Sequence, residues 1–380
     1  ALLSINPQRS QMKSSPSNRE NRKYPVALQG GFSIVELMIA ITLGLLILAG
    51  VTTIFVKNSQ VRNEVEQSNR QIESCRYDTT LLTEDLRMAG FLASFDPYEL
   101  IIQPGNPPLP IASKPDPCDA TLANLRNAFF LHVQGVDNAA AIPSCLSDVR
   151  TGSDIIVIRR ASTCIAGPVT EANCDAVIGG APYFQASNCY QATELAMNSG
   201  TNTDYQAHFV LDSNTSTGLI KRALNCTTQA DYRRFLTHIY FVANNNVGSD
   251  GIPTLKRAEL GASGFTIVPL VEGIETIQFE YGVDKDDNGL IDDYTADPDL
   301  YNSCAGAACI VNWLHTYAVK LNVLARNTKA SPGYSDSKTY TLGRAVDGSD
   351  NIFGPYSDNY KRHAYTATVR LDNPSGRRVP

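Results

Sequence analysis

Two short runs in this sequence place side chains where chemistry could be done. The first, Asp284-Lys285-Asp286-Asp287-Asn288-Gly289-Leu290-Ile291-Asp292-Asp293-Tyr294-Thr295, sets oxygen donors at positions 1, 3, 5 and 9 and glycine at 6. Alternate residues of such a loop turn their carboxylates inward, the glycine permits the sharp bend, and a backbone carbonyl at position 7 completes an all-oxygen shell suited to Ca2+. The expected ligands are therefore Asp284, Asp286, Asn288, Leu290 through its carbonyl, and Asp292. The bidentate acid of position 12 is missing, since Thr295 stands there; Asp293, Asp297 and Asp299 are the nearby carboxylates that could replace it. Without it, affinity should fall in the weak extracellular range, roughly 0.1 to 1 mM. The plain alternative is a solvated acidic turn between two strands.

The second run is Gly31-Phe32-Ser33-Ile34-Val35-Glu36, which opens about 24 apolar residues ending near Val56 with Glu36 as their single charge. An apolar run longer than roughly 18 residues is enough to cross a bilayer as a helix. A secretory signal keeps its small-residue cleavage site after the apolar core, whereas here Gly30-Gly31 precedes it. Cutting after Gly31 would remove a polar leader and leave the helix on the mature chain. A carboxylate at mid-membrane costs about 2.5 to 3.5 kcal/mol. Near the helix end Glu36 reaches the interface more cheaply, so an ordinary signal anchor stays open on energy alone.

Catalytic constellations are poor. The sequence has no G-x-S-x-G, no H-E-x-x-H and no phosphate-cradling glycine loop. His132, His208, His238, His315 and His363 stand apart from each other and from the cysteines. His315 beside Trp313 is the one candidate site histidine, and a structural role is the simpler expectation for it. Catalysis is not expected. Nine cysteines with no C-x-x-C fit an oxidising compartment and disulfides rather than metal. Cys164 with Cys174, and Cys304 with Cys309, could each close a small loop. An odd count leaves one thiol over, and Cys75, on a packing stripe, is the candidate. The net charge of -6 and the absence of a polybasic stripe disfavour a nucleic-acid partner.

These residues need elements to hold them. Residues 1–31 are polar and basic, with Arg9, Lys13, Arg19, Arg22 and Lys23 against Glu20. Basic residues before a membrane helix hold that end in the cytoplasm, which puts everything after Val56 outside. The leader is expected to be disordered and removable, and it is longer than such a signal requires. Beyond Lys57 the weakly polar or apolar residues Val61, Val65, Ser68, Ile72, Cys75, Thr79, Leu82, Leu86 and Ala89 recur at steps of four and three, while Arg62, Glu64, Glu66, Arg70, Glu73, Asp78, Glu84 and Asp85 take other faces. One helix from Phe32 to Met88 is predicted, about 85 Å long at 1.5 Å per residue, with Gly90 as its stop. Gly44 and Gly50 within it either allow close helix packing or mark a point of loosening.

From Pro97 to Gly152 prolines bound a loop-rich connection with one short helix around Ala120–Phe130. Strands are predicted at Asp154–Arg159, Ala207–Leu211, Gly218–Leu224 and Phe235–Val242, and half-buried alternating strands around Ile277–Tyr281, Tyr317–Val323 and Tyr365–Leu371. The fold class is α+β: a long N-terminal helix, membrane-spanning in its first half, laid on an antiparallel β-sheet head with long loops. The divisions are 1–31 leader, 32–56 transmembrane or filament-core helix, 57–90 amphipathic half of the same helix, and 91–380 extracytoplasmic head.

Gly31-Phe32 with Glu36 at the fifth mature position resembles the class III signal of type IV prepilins. Asp85-Leu86-Arg87-Met88-Ala89-Gly90-Phe91, the run Gly152–Arg160, Leu270-Val271-Glu272-Gly273-Ile274-Glu275 leading into Phe279–Asp284, and Thr368-Val369-Arg370-Leu371 are similar to the PilW-like family of large minor pilins. The resemblance implies cleavage after Gly31 by a prepilin peptidase, methylation of Phe32, and pairing of Glu36 with the new N-terminal amine in the filament. It implies a low-abundance structural subunit that sits in the inner membrane by a single pass before assembly. With other minor pilins and the major pilin it would prime pilus assembly, and afterwards it would lie in the pilus at the cell surface, at the tip. The long leader and the cysteine-rich 161–230 region depart from the family pattern. Two other classes remain: a pseudopilin of a type II secretion system, against which Glu36 argues, and an adhesive tip module using the 97–230 loops.

Overall fold

A computed structural model describes residues 31–97, 111, 113–172, 174, 176–189, 191, 208–286 and 288–377. Residues 1–30 of the expected leader, much of the proline-rich connection and Ala207 lie outside these. The chain forms two compact units, Ala1–Val61 and Arg62–Pro380.

Helix α1, Ile34–Arg87, is continuous over 54 residues. In the first unit it is long and apolar enough to cross a membrane, and every residue from Ile34 to Val61 is solvent-facing in the isolated chain. Its few hydroxyls turn inward: Thr42 bonds to the carbonyl of Met38 at 3.0 Å, Thr52 to Leu48 at 2.6 Å and Thr53 to Ala49 at 2.7 Å. These three hydroxyls are thereby satisfied without water.

In the second unit the buried face of α1 is Gln71, Cys75, Asp78, Leu82, Asp85 and Leu86. This corrects the predicted stripe: Val61, Val65 and Ile72 are exposed, and Asp78 and Asp85 point inward. The apolar periodicity was right from Cys75 onward, but it could not reveal that polar residues share the face. Gly90, at φ +69°, ends the helix and donates its N–H to the carbonyl of Arg159 at 2.9 Å. The side chain of Asn373 caps the carbonyls of Arg87 and Ala89 at 3.1 and 3.2 Å.

The head holds two antiparallel sheets and a hairpin. After the short helix α2, Leu122–Ala128, the larger sheet uses β1 (Val133–Val136), β2 (Ile155–Ala161), β3 (Tyr183–Ala186), β4 (Phe209–Asp212), β5 (Tyr232–Ala243), β6 (Thr254–Leu260) and β7 (Phe265–Glu272). Long β5 is its axis, with β2 on one side and β3 then β6 on the other. The second sheet runs β13 (Arg362–Arg370), β10 (Thr316–Arg326), β8 (Ile274–Val283), β9 (Asp293–Thr295). The hairpin pairs β11 (Tyr340–Arg344) with β12 (Asp350–Phe353), and helices α3 (Ala307–Leu314) and α4 (Asp372–Gly376) complete the element order.

The main core joins the α1 face to both sheets through Leu82, Leu86, Ile156, Ile158, Tyr240, Val242, Ile277, Phe279, Val319, Leu321 and Val323. Beyond the end of α1 the same core continues into a phenylalanine cluster in which Phe129 stacks on Phe209 at 4.3 Å. Each such side chain contributes roughly 1.5 to 3 kcal/mol by leaving water. On the opposite face of β2 and β5 a second core, Ile155, Val157, Ile239 and Phe241, explains why D-I-I-V-I-R is apolar without alternation.

Two sequence expectations fail here. Residues 218–224 form a turn-rich loop instead of a strand: Ile220 and Leu224 are 68% and 72% exposed, and the backbone N–H of Lys221 goes to the side chain of Gln185 at 2.8 Å. Strands β8 and β10 are buried on both faces, not half-buried. Their polar residues pair with each other, as Glu280 does with Lys320 at 3.3 Å, under the β11–β12 hairpin.

Candidate functional site

At the N-terminus, Gly31 to Ser33 precede the helix and Glu36 lies in the first turn of α1, where the backbone dipole favours a negative charge. Phe32 is 85% exposed.

The acidic run joins β8 to β9 as a hairpin loop, held by the antiparallel pairs Tyr281–Thr295, Gly282–Tyr294 and Val283–Asp293. Within it Asp284, Asp286 and Asp292 bring one carboxylate oxygen each to within 4.8 Å of the others. Asp284 is fully buried at the base, and its carboxylate accepts the N–H of Gly289 at 2.7 Å and of Asn288 at 3.2 Å. Asp286 and Asp292 are exposed, and Asp292 accepts the N–H of Lys285 at 2.7 Å. Asn288 turns its side-chain oxygen to the N–H of Leu290 at 2.8 Å, and Gly289 takes φ +84°, a conformation that glycine adopts without strain. Asp287 lies outside the described residues.

Among the described residues no further carboxylate joins these three. Thr295 is a strand residue whose hydroxyl bonds to the carbonyl of Asp297 at 3.2 Å. Asp299 is taken by Lys114 and by the indole N–H of Trp313 at 2.7 Å, and Asp293 accepts the N–H of Tyr294 at 2.8 Å. His315 ends α3, with its Nδ1 3.1 Å from the carbonyl of Asp284, and burial pushes its pKa down.

Four disulfides form, Cys118–Cys145, Cys164–Cys174, Cys189–Cys226 and Cys304–Cys309. Cys75 is buried and free. Cys304–Cys309 ties the segment after β9 to the first turn of α3, with Cys304 Sγ 3.0 Å from the carbonyl of Asp299.

Two charged clusters had no sequence signal. In the first, Asp85 of α1 accepts from His238 Nδ1 at 2.6 Å, Tyr240 at 2.8 Å and Arg160 Nε at 2.8 Å. Arg257 reaches Tyr240 at 3.2 Å and Glu259 at 2.9 Å. Burial alone would raise the Asp85 carboxyl, but hydrogen bonding and charge from His238, then from Arg160, hold it well below the usual carboxylate range. In the second, the guanidinium of Arg362, fully buried, pairs with Glu275, with Asp336 at 3.0 Å and with Asp358 at 2.6 Å. Tyr340 donates to Asp336 at 3.0 Å, and the ring of Tyr356 lies 3.8 Å from the guanidinium. The first cluster ties α1 to β2 and β5; the second ties β8, β13 and the loop from 327 to 361 together.

Residues 239–373 match the family model PilW, described as Type IV Pilus-assembly protein W. Over that stretch the chain is similar to PilW. No curated protein and no solved structure matches the chain significantly. The PilW-matched stretch opens inside β5 and closes just after β13, so it holds the acidic loop, the Arg362 cluster and both sheet-two strands buried on two faces. The resemblance at Asp85–Phe91 and Gly152–Arg160 falls outside it. The match supports involvement of the chain in type IV pilus assembly.

Proposed function

We propose that this chain is a minor pilin, a structural subunit of the complex that primes type IV pilus assembly and remains at the tip. The observation that carries this reading is the PilW match on a head into which α1 runs unbroken from an apolar segment with a carboxylate in its first turn. In this reading residues 1–31 are the leader, a prepilin peptidase cuts after Gly31, and Phe32 is methylated. The helix 32–56 first anchors the chain in the inner membrane with the head, 91–380, in the periplasm, and then enters the filament core beside other minor pilins and the major pilin. Glu36 neutralises the amine of Phe32, its own or a neighbour's, because a charge buried among apolar helices needs a partner.

For the acidic loop the ion proposed is Ca2+. Its donors are all hard oxygens, three of them carboxylates already gathered, which suits Ca2+ rather than a nitrogen- or sulfur-seeking metal. Its part would be to stiffen Tyr281–Cys304.

The deciding experiment is mass spectrometry of the mature N-terminus from native membranes and sheared filaments. A species beginning at methylated Phe32 is expected in both. An intact leader, or cleavage elsewhere, would reduce the protein to a membrane-anchored β-domain.

A further inference from the structure

The face of α1 that packs on the head carries two carboxylates, Asp78 and Asp85, two turns apart and in opposite surroundings. Asp85 is met by a histidine, an arginine and a tyrosine. Asp78 is 0% exposed, and neither of its carboxylate oxygens has a hydrogen-bond partner.

Among the described residues, burial alone acts on the Asp78 carboxyl, with no opposite charge beside it. On α1 itself the titratable neighbour is the buried thiol of Cys75, one turn earlier, and from β13 the group approaching that thiol is the phenol of Tyr365. The core-facing residues of β8 and β10 include the apolar Ile277 and Phe279 on one and Val319, Leu321 and Val323 on the other, with the phenol of Tyr281 further along β8. Tyr317 of β10 lies at the start of that strand, where its carbonyl takes the N–H of Leu371. Arg160 of β2, His238 and Tyr240 of β5 and Arg257 of β6 all converge on Asp85. At the opposite end, Gln71 spends its amide on the carbonyls of Ala325 and Lys361. An ionised carboxylate in such a place is strongly unfavourable, and neither of its oxygens has a hydrogen-bond partner among the described residues. A proton is the one species small enough to neutralise it.

We infer that Asp78 is a proton-binding site at the helix–head interface: it docks as the carboxylic acid, takes up its proton as residues 71–86 of α1 settle on the sheets, and releases it when they leave. This goes beyond the pilin reading and does not depend on it.

Burial pushes the Asp78 carboxyl up to about 8. A released helix would ionise the same group near its ordinary value of about 3.9. Between those two values the docked state holds a proton that the released state has lost, so docking weakens as pH rises through the window and levels off above it. Asp85 has the reverse sign and contributes fully above about pH 4, so it adds no slope in this window. Asp137, Asp154 and Asp297 are also raised by burial, so the contribution of Asp78 is read against a variant.

The test is hydrogen–deuterium exchange of the full chain in detergent micelles between pH 5 and 7, with protection of residues 71–86 corrected for intrinsic exchange. The opening constant of the wild type, divided by that of Asp78→Asn, should rise about tenfold per pH unit. Asp78→Leu, a second neutral side chain, should give the same ratio and covers the case in which the amide does not fold. A ratio independent of pH with either variant would overturn the proposal.

Discussion

Asp85 shows how much one carboxylate can decide. It closes a buried cluster with Arg160, His238 and Tyr240, and removing one member of such a cluster strands the others without their counter-charge. Asp85→Ala should therefore destabilise the head by about 3 to 5 kcal/mol, read as a fall in the urea midpoint of the detergent-solubilised chain. Because the folded carboxyl is depressed, its contribution is present above about pH 4 and fades below it, so the gap between wild type and Asp85→Ala should shrink on acidification. At the acidic loop, titration of Ca2+ into the full chain should give a Kd of roughly 0.1 to 1 mM, and Asp286→Ala should abolish the heat. An absent signal in the wild type would leave a solvated turn. These two sites differ in legibility for a physical reason. Asp284, Asp286 and Asp292 meet within one loop, so their spacing in sequence is their geometry. Asp85 and His238 are 153 residues apart and meet only because α1 lies across β5, which no local pattern encodes.

Strands were readable where one face meets the core and the other does not, and less so elsewhere. β13 alternates visibly, whereas β8 and β10 alternate apolar with polar residues although both faces are buried, because Gln278, Glu280, Lys320 and Asn322 find partners under the hairpin. Gly218 to Leu224 misled in the other direction: Leu219, Ile220, Ala223 and Leu224 are apolar, but a disulfide at Cys226 and the Gln185 bond hold the segment as a loop. The joint between β7 and β8 is a single residue. Gly273 sits at φ +82°, its N–H and C=O engage Pro253 and Arg326, and an added Cβ would come within 2.7 Å of the Arg326 carbonyl. Gly273→Ala should cost about 1 to 3 kcal/mol. The urea midpoint should fall with an unchanged denaturant slope; a changed slope would mean that the two sheets had come apart instead.

For the protein as a whole, Glu36 separates folding from assembly. It lies in the first unit, among residues that make up an apolar helix, while the disulfides and both charged clusters lie in the second. Replacing it by leucine removes a charge that disfavours membrane insertion, so Glu36→Leu should partition into membranes at least as well as wild type and keep the same head stability. In a filament the same change would leave the amine of Phe32 without a counter-charge among apolar helices, a loss of about 3 to 5 kcal/mol for each such contact. That is enough to exclude the subunit from the polymer. The expected pattern is a full membrane pool, a native head by urea titration, and little of the variant in sheared filaments, with Glu36→Asp restoring part of the incorporation because it keeps the charge one methylene shorter. Incorporation of Glu36→Leu at the wild-type level would show that this carboxylate has no part in assembly, and the reading of α1 as a filament-core helix would lose its main support.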